Sequence, residues 1–428
     1  MKKTIITILL AIVTLAGQAQ VKCHVEGKIM TDKYGDDVVV CKDGTDLRVN
    51  DDPSLHYKAV NGHFECDIET DHIEMYEVKL PRQMDEGSWF TARFLAENGT
   101  VWIEMYEDKA PKVRSTGKEG LLHHVLDSIE DVRFWNVVDE LDRELETNKE
   151  KYFKLDFISA YQTLKSNDAD SLPQEYIDSV RNVLRAYYDD ERKGYNDEGW
   201  ALWQRRDSIA KGVRPFSVGY YTEHPVLWAY YDVLTAIQTL NQANVFANFD
   251  PEPHEQMLSL YEAKLCNLYK GHPIHQQIAM ALAALRLQPG KPYIDYTVRN
   301  VDGQLVPIST LTKGNVALIN LWASWCGPCR KHSKDMIPVY EKYKDKGFTI
   351  IAIAREQKAE SMQKAMERDG YPWSSLLELN DENRIWELNG VGNGGGAMFL
   401  IDRDGTILST STDSEELEPL IKKALYIE

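Results

Sequence analysis

The chain has 428 residues, and 49 Lys and Arg against 67 Asp and Glu leave a net charge of −18. That length accommodates two or three domains with real cores, and 43% hydrophobic with 27% charged residues excludes a wholly disordered chain and a multi-span membrane protein. The acid excess speaks against a nucleic-acid binder or a basic lipid-docking patch, whose affinity rests on Lys and Arg neutralising phosphates.

Met1-Lys2-Lys3, an apolar run from Ile5 to Ala16 and then Gly17-Gln18-Ala19 follow the three-part pattern of a secretory signal. The apolar core is too short to span a bilayer, and small residues stand at −3 and −1 of a cut after Ala19. An uncleaved anchor is the competing reading; acylation at Cys23 is disfavoured because Gln20-Val21-Lys22 precedes it. The expected mature protein lies outside the cytosol, without membrane insertion, where disulfides persist.

From Val21 to Pro111 the signals are β. His24–Ile29, Val38–Cys41, Ile73–Leu80, Phe90–Leu95 and Val101–Met105 alternate or are β-branched, and turn clusters such as Asp43-Gly44 and Asn98-Gly99 separate them. From Glu119 to Gln288 apolar residues recur at helical spacing, as in Phe134–Leu145, Tyr176–Tyr188, Val226–Leu240 and Met257–Leu268. The aromatics there (Trp135, Trp200, Trp203, Trp228, Tyr230, Tyr231) read as core. Leu287–Pro292 reads as a linker. The expected organisation is a signal at 1–19, a small all-β, sandwich-like domain at 20–112, an all-α region at 113–288 and an α/β domain at 289–428.

In the last domain Asp302-Gly303 predicts a hairpin. Val316–Trp322 and Phe348–Ala354 predict strands buried on both faces. Helices are expected over Pro328–Lys346, Ala359–Arg368 and Glu415–Leu425, with a second hairpin about Asp404-Gly405. At the first strand–helix junction stands Trp322-Ala323-Ser324-Trp325-Cys326-Gly327-Pro328-Cys329. Two Cys separated by two residues close a small disulfide ring. A sulfur at a helix N-terminus is favoured as thiolate, the nucleophile of disulfide exchange. Cys326 is the expected attacking thiol and Cys329, one turn on, the resolving thiol. Pro328 lacks an N–H where none is needed. Half a zinc site and an inert bridge compete, but no second Cys/His pair answers in this region.

These residues, followed by Val339-Tyr340-Glu341-Lys342-Tyr343, Gly347–Ile351 and Phe399-Leu400-Ile401-Asp402, resemble the thioredoxin fold. More narrowly they resemble the exported TlpA/ResA-type thiol:disulfide oxidoreductases, over residues 291–428. The β-rich segment resembles an envelope domain of unknown function that often precedes them. The resemblance implies a redox pair Cys326/Cys329, transient mixed disulfides with partner proteins, a periplasmic location and an upstream membrane electron donor. No cofactor or metal is expected. Trp325, Gly327, Pro328 and the Gly394–Gly396 loop are expected to shape the docking surface. The Gly-Pro dipeptide biases the expectation to a reductant, with a potential on the order of −270 mV.

Three positions depart from the family. Gly396 stands at its cis-proline position, where a trans peptide is expected because a non-proline cis bond costs roughly 2.5–4 kcal/mol. His332 replaces a glutamate three residues after Cys329, either as a proton carrier or as a solvated side chain. Asn320 replaces the buried acid of thioredoxin and cannot act as a base.

Cys23, Cys41, Cys66 and Cys266 remain. Cys23–Cys41 is the first pairing considered and buried thiols the alternative. His272-Pro273-Ile274-His275 reads as a helix-start loop rather than a metal site, and His123-His124 as plain surface. The alternative function is an envelope ligand- or partner-binding module whose redox domain senses or locks a state. A peroxidase on the same fold is weaker, because its attacking Cys normally lacks a C-x-x-C partner.

Overall fold

Alternation sets the N-terminal sheets. In β1 (Val21–Ile29) every second residue is buried, and β4 (His63–Thr70) turns Phe64, Cys66 and Ile68 inward while charged neighbours face out. The computed structural model describes residues 20–427 apart from 88–89, 167–171, 191, 243–248 and 301, and only the backbone of 188–189. The expected signal at 1–19 lies outside the described residues. The remaining strands of this part are β2 (Asp37–Lys42), β3 (His56–Lys58), β5 (Glu74–Lys79), β6 (Ala92–Ala96), β7 (Gly99–Met105) and β8 (Lys112–Ser115). They form two four-stranded sheets, β4-β1-β7-β8 and β3-β2-β5-β6, which share one core. Gly27 lies opposite Phe64, whose ring fills the space a Cβ would take.

Two sequence expectations change here. The expected strands omit β3, β4 and β8, although β4 carries a clean period of two. The considered pair Cys23–Cys41 does not form. Cys23 is on β1 and Cys41 on β2, in different sheets, and both are free and buried, as is Cys66; Cys266 is free and partly buried. Burial pushes the Cys23 and Cys41 thiols up to about 11 and the Cys66 thiol up to about 12, so all three are poor nucleophiles.

The chain divides into two compact units: residues through Leu121 with Arg286–Glu428, and Leu122–Leu285. The second unit is helical. Its most enclosed helix is Trp228–Asn241, buried at Trp228, Ala229, Tyr230, Tyr231, Val233, Leu234, Ala236 and Ile237. Not every aromatic is core: Trp200 and Trp203 stack at 4.9 Å and are half-buried, and Trp135 is exposed. His123 is not plain surface, since its ring stacks on Trp228 at 3.5 Å. His275 bonds the Tyr261 hydroxyl and the Leu268 carbonyl at the start of the Ile274–Ala284 helix.

The C-terminal sheet has seven strands: β9 (Thr297–Arg299), β10 (Leu305–Pro307), β11 (Val316–Trp322), β12 (Phe348–Glu356), β13 (Ser375–Leu379), β14 (Ala397–Ile401) and β15 (Ile407–Ser409), in the order β10-β9-β13-β12-β11-β14-β15. β11 is buried along its whole length, parallel to β12 and antiparallel to β14, the α/β plan of a thioredoxin fold. β13 is not among the expected strands, because buried Ser375 and Glu378 interrupt its apolar pattern. The long helix expected after the motif breaks at Met336 into Gly327–Asp335 and Ile337–Tyr343. Pro338, which has no N–H to continue a helix, opens the second piece. The expected linker is stitched to the edge strand β15 by Gly290 N–H to the Ile407 carbonyl and Ile407 N–H to the Lys291 carbonyl. Among the described residues no helix is long and apolar enough to cross a membrane.

Glu378 accepts N–H bonds from Asn383 and Ile385, yet burial holds its carboxyl up at about 7, against about 4.3 for an exposed glutamate. The folded state therefore keeps a proton the unfolded chain has lost, and stability falls as pH rises from about 4.3 through 7, then levels off. Urea unfolding at pH 5 and pH 8 should show this fall in the wild type. In Glu378→Gln the fall should shrink by up to about 3 kcal/mol; an equal fall in both proteins would place the pH dependence elsewhere.

Candidate redox site

β11 ends at Trp322, and the chain turns through Ala323-Ser324-Trp325, with Cys326 N–H bonded to the Ala323 carbonyl, into the Gly327–Asp335 helix. Cys326 is the N-cap of that helix, and its Sγ accepts the Cys329 N–H at 3.2 Å. Cys326 and Cys329 are joined by a disulfide. Both are nearly enclosed, 5% and 7% exposed. Pro328 occupies the first turn, where its missing N–H costs no helical bond.

The glycine stretch before β14 supplies the other wall. Gly396 N–H donates to Cys329 Sγ at 3.1 Å. A Cβ at Gly396 would lie 1.9 Å from the Leu321 carbonyl oxygen and 3.1 Å from Cys329 Sγ, so only glycine allows this approach. A proline there would have no N–H to give. No cis peptide occurs among the described residues. Gly394, Gly395 and Gly327 have open space around the position of a Cβ, so Gly396 alone of these four is sterically demanded.

Trp325 packs against Trp386 with centroids 5.8 Å apart, and the Arg48 guanidinium lies 3.9 Å from the Trp325 centroid. His332 is half-buried, one turn beyond Cys329. Asn320 is buried and donates to Ser333 Oγ at 2.9 Å, which anchors the helix to β11. Arg330 grips Asp369 through two 2.6 Å bonds, a second anchor for the same helix.

Two contributors escape the sequence reading. Glu356, at the end of β12, accepts the Ser324 N–H at 2.5 Å and its hydroxyl at 2.8 Å, and so fixes the turn two residues before Cys326. Burial pushes its carboxyl up, with the Ser324 bonds opposing. The signal is an acid at the end of a strand, two residues beyond its apolar run, at a position normally solvated. Arg48 lies nearly 280 residues upstream, and no spacing pattern connects it to the motif.

Replacing Gly396 by Ala should destabilise the C-terminal domain by about 1–3 kcal/mol, because the Leu321 carbonyl is backbone that cannot step aside. Gly395→Ala should stay within about 0.5 kcal/mol. Equal unfolding midpoints for the two variants would contradict the close approach.

Residues 289–410 match the AhpC/TSA family. The thiol-disulfide oxidoreductase ResA of Bacillus anthracis is 29% identical over 141 residues, covering 32% of this chain and 79% of that protein. A probable phospholipid hydroperoxide glutathione peroxidase of Nicotiana tabacum is 28% identical over 166 residues, covering 33% of this chain and 98% of its own. The thioredoxin domain of a thiol-disulfide oxidoreductase from Bacteroides vulgatus, a solved structure, is 26% identical, covers 32% of this chain and 99% of that one, and gives a TM-score of 0.30.

Proposed function

We propose that this protein works in a periplasm as a reductant of partner-protein disulfides, with Cys326 attacking and Cys329 resolving. Its AhpC/TSA-family domain and its ResA relatives make it a thiol-disulfide oxidoreductase of thioredoxin fold.

The observation that carries this reading is the position of Cys326 as N-cap, its sulfur facing the Cys329 N–H. In the reduced protein that N–H and the helix dipole favour a thiolate at Cys326. The thiolate attacks one sulfur of the partner disulfide, whose S–S bond breaks as a mixed disulfide forms. The second partner sulfur leaves as thiolate and takes a proton. Cys329 Sγ, beside the Gly396 N–H donor, is poised to give up its proton and attack the Cys326 sulfur. That step restores the Cys326–Cys329 bond and releases the partner as a dithiol. Two electrons pass from protein to partner, and an upstream donor, proposed to lie in the membrane, must return them. Trp325, the helix start at Gly327 and Pro328, and the loop through Gly395 and Gly396 form the proposed docking surface around the pair.

In Cys329→Ser the resolving step is lost. Incubation of the reduced variant with insulin should accumulate a mixed disulfide through Cys326, seen on a non-reducing gel and removed by dithiothreitol. Cys326→Ser should accumulate none. If wild type turns over insulin while Cys329→Ser traps nothing, the two roles are wrongly assigned.

A further inference from the structure

We propose that Arg48, supplied by the N-terminal β-sheet domain, is a specificity-determining residue of the redox site: it walls the approach to Cys326 and discriminates against bulky protein disulfides. The inference rests on the redox reading above and adds a role for the upstream domain.

The wall is built, not incidental. Arg48 is held by Asp46 in a bidentate pair, Nε to Oδ1 and Nη2 to Oδ2, both at 2.8 Å. Asp46 is buried and also accepts Arg355 Nη1 at 3.1 Å, from the second-to-last residue of β12 in the redox domain. Arg355 is in turn clamped by Asp381 through two 2.5 Å bonds, and its guanidinium lies 4.8 Å from the Trp386 centroid. This chain of alternating charges crosses from one domain to the other with Asp46 and Arg355 buried at its centre and the Arg48 side chain 42% exposed at its outer end, so removal of a buried member strands the next. A second attachment runs beside it. Asn393 Nδ2 donates to the Gly44 carbonyl at 3.0 Å, and Arg48 Nη2 donates to the Asn393 carbonyl at 2.5 Å. One short segment, Gly44–Arg48, thus holds both Trp325 and the loop leading to Gly396, the two features flanking the disulfide.

Two further observations point to a site that opens. Cys326, the sulfur a partner must reach, is 5% exposed. The indole N–H groups of Trp325 and Trp386 are buried and have no acceptor among the described residues, a costly arrangement in a stack that never moves. Attack on a disulfide needs access of thiolate to sulfur along the S–S axis. A small disulfide can enter beside the Arg48–Trp325 stack, whereas a folded partner must displace it. The exchange is the one described above, with the reduced protein supplying both electrons.

The test uses the full mature chain, reduced with dithiothreitol and freed of it, and follows single-turnover oxidation of Cys326/Cys329 by hydroxyethyl disulfide and by insulin. Arg48→Ala should raise the insulin rate at least about fivefold and leave the hydroxyethyl disulfide rate within about twofold. Arg48→Lys, which keeps the charge but loses the planar fork and stack, should behave as Arg48→Ala does. Asn393→Ala, which cuts the Gly44 bond and leaves the ion pairs intact, should shift the ratio the same way by a smaller factor. Parallel changes with both substrates, or none with either, overturn the wall. A wild-type protein that exchanges with neither substrate overturns instead the redox reading beneath it.

Discussion

The close approach of three backbone segments at one disulfide governs the C-terminal domain. β11 must deliver Cys326 to the start of a helix, the Gly327–Asp335 helix must hold Cys329 beneath it, and the stretch before β14 must bring Gly396 N–H within 3.1 Å of Cys329 Sγ. β11 and β14 are paired, Leu321 opposite Ala397, so the residue preceding Ala397 sits against the Leu321 carbonyl, where any side chain collides. Gly396 is therefore a geometric requirement of this backbone, and it gives a donor that a proline would lack.

Around that contact the domain spends buried polar groups on holding the motif still. Glu356 secures Ser324, Asn320 secures Ser333, and Arg330 is fixed by Asp369. Each bond ties the motif or its helix to a neighbouring element, so the disulfide rests on a rigid support. The buried thiols of the β-sheet domain have the opposite character. Burial raises their pKa and keeps them neutral, so they are poor nucleophiles.

How far the sequence speaks depends on whether the signal is local. The WCGPC motif, β11, β12 and both hairpins announce themselves through contiguous residues, and the resemblance of residues 291–428 to exported oxidoreductases follows from them. Elements whose buried positions are polar are harder to see: β13 hides behind Ser375 and Glu378. β4 alternates cleanly, yet its exposed Glu65, Asp67 and Glu69 give it the look of a charged loop. Of the two readings of the remaining cysteines, buried free thiols hold and the Cys23–Cys41 pairing does not, since sheet membership is a long-range property that strand spacing does not encode. Arg48 is the extreme case, meeting Trp325 only through the tertiary fold.

The proposed chemistry requires Cys326/Cys329 to be a reversible redox couple rather than a permanent bridge. The most direct measurement is a redox titration of the purified protein in defined thiol buffers, with the pair read by alkylation mass. A reversible two-electron transition at a potential on the order of −270 mV is the expected result and marks a dithiol reductant. A transition near about −120 mV would reverse the direction of electron flow, and a pair that does not titrate at all would contradict the central claim.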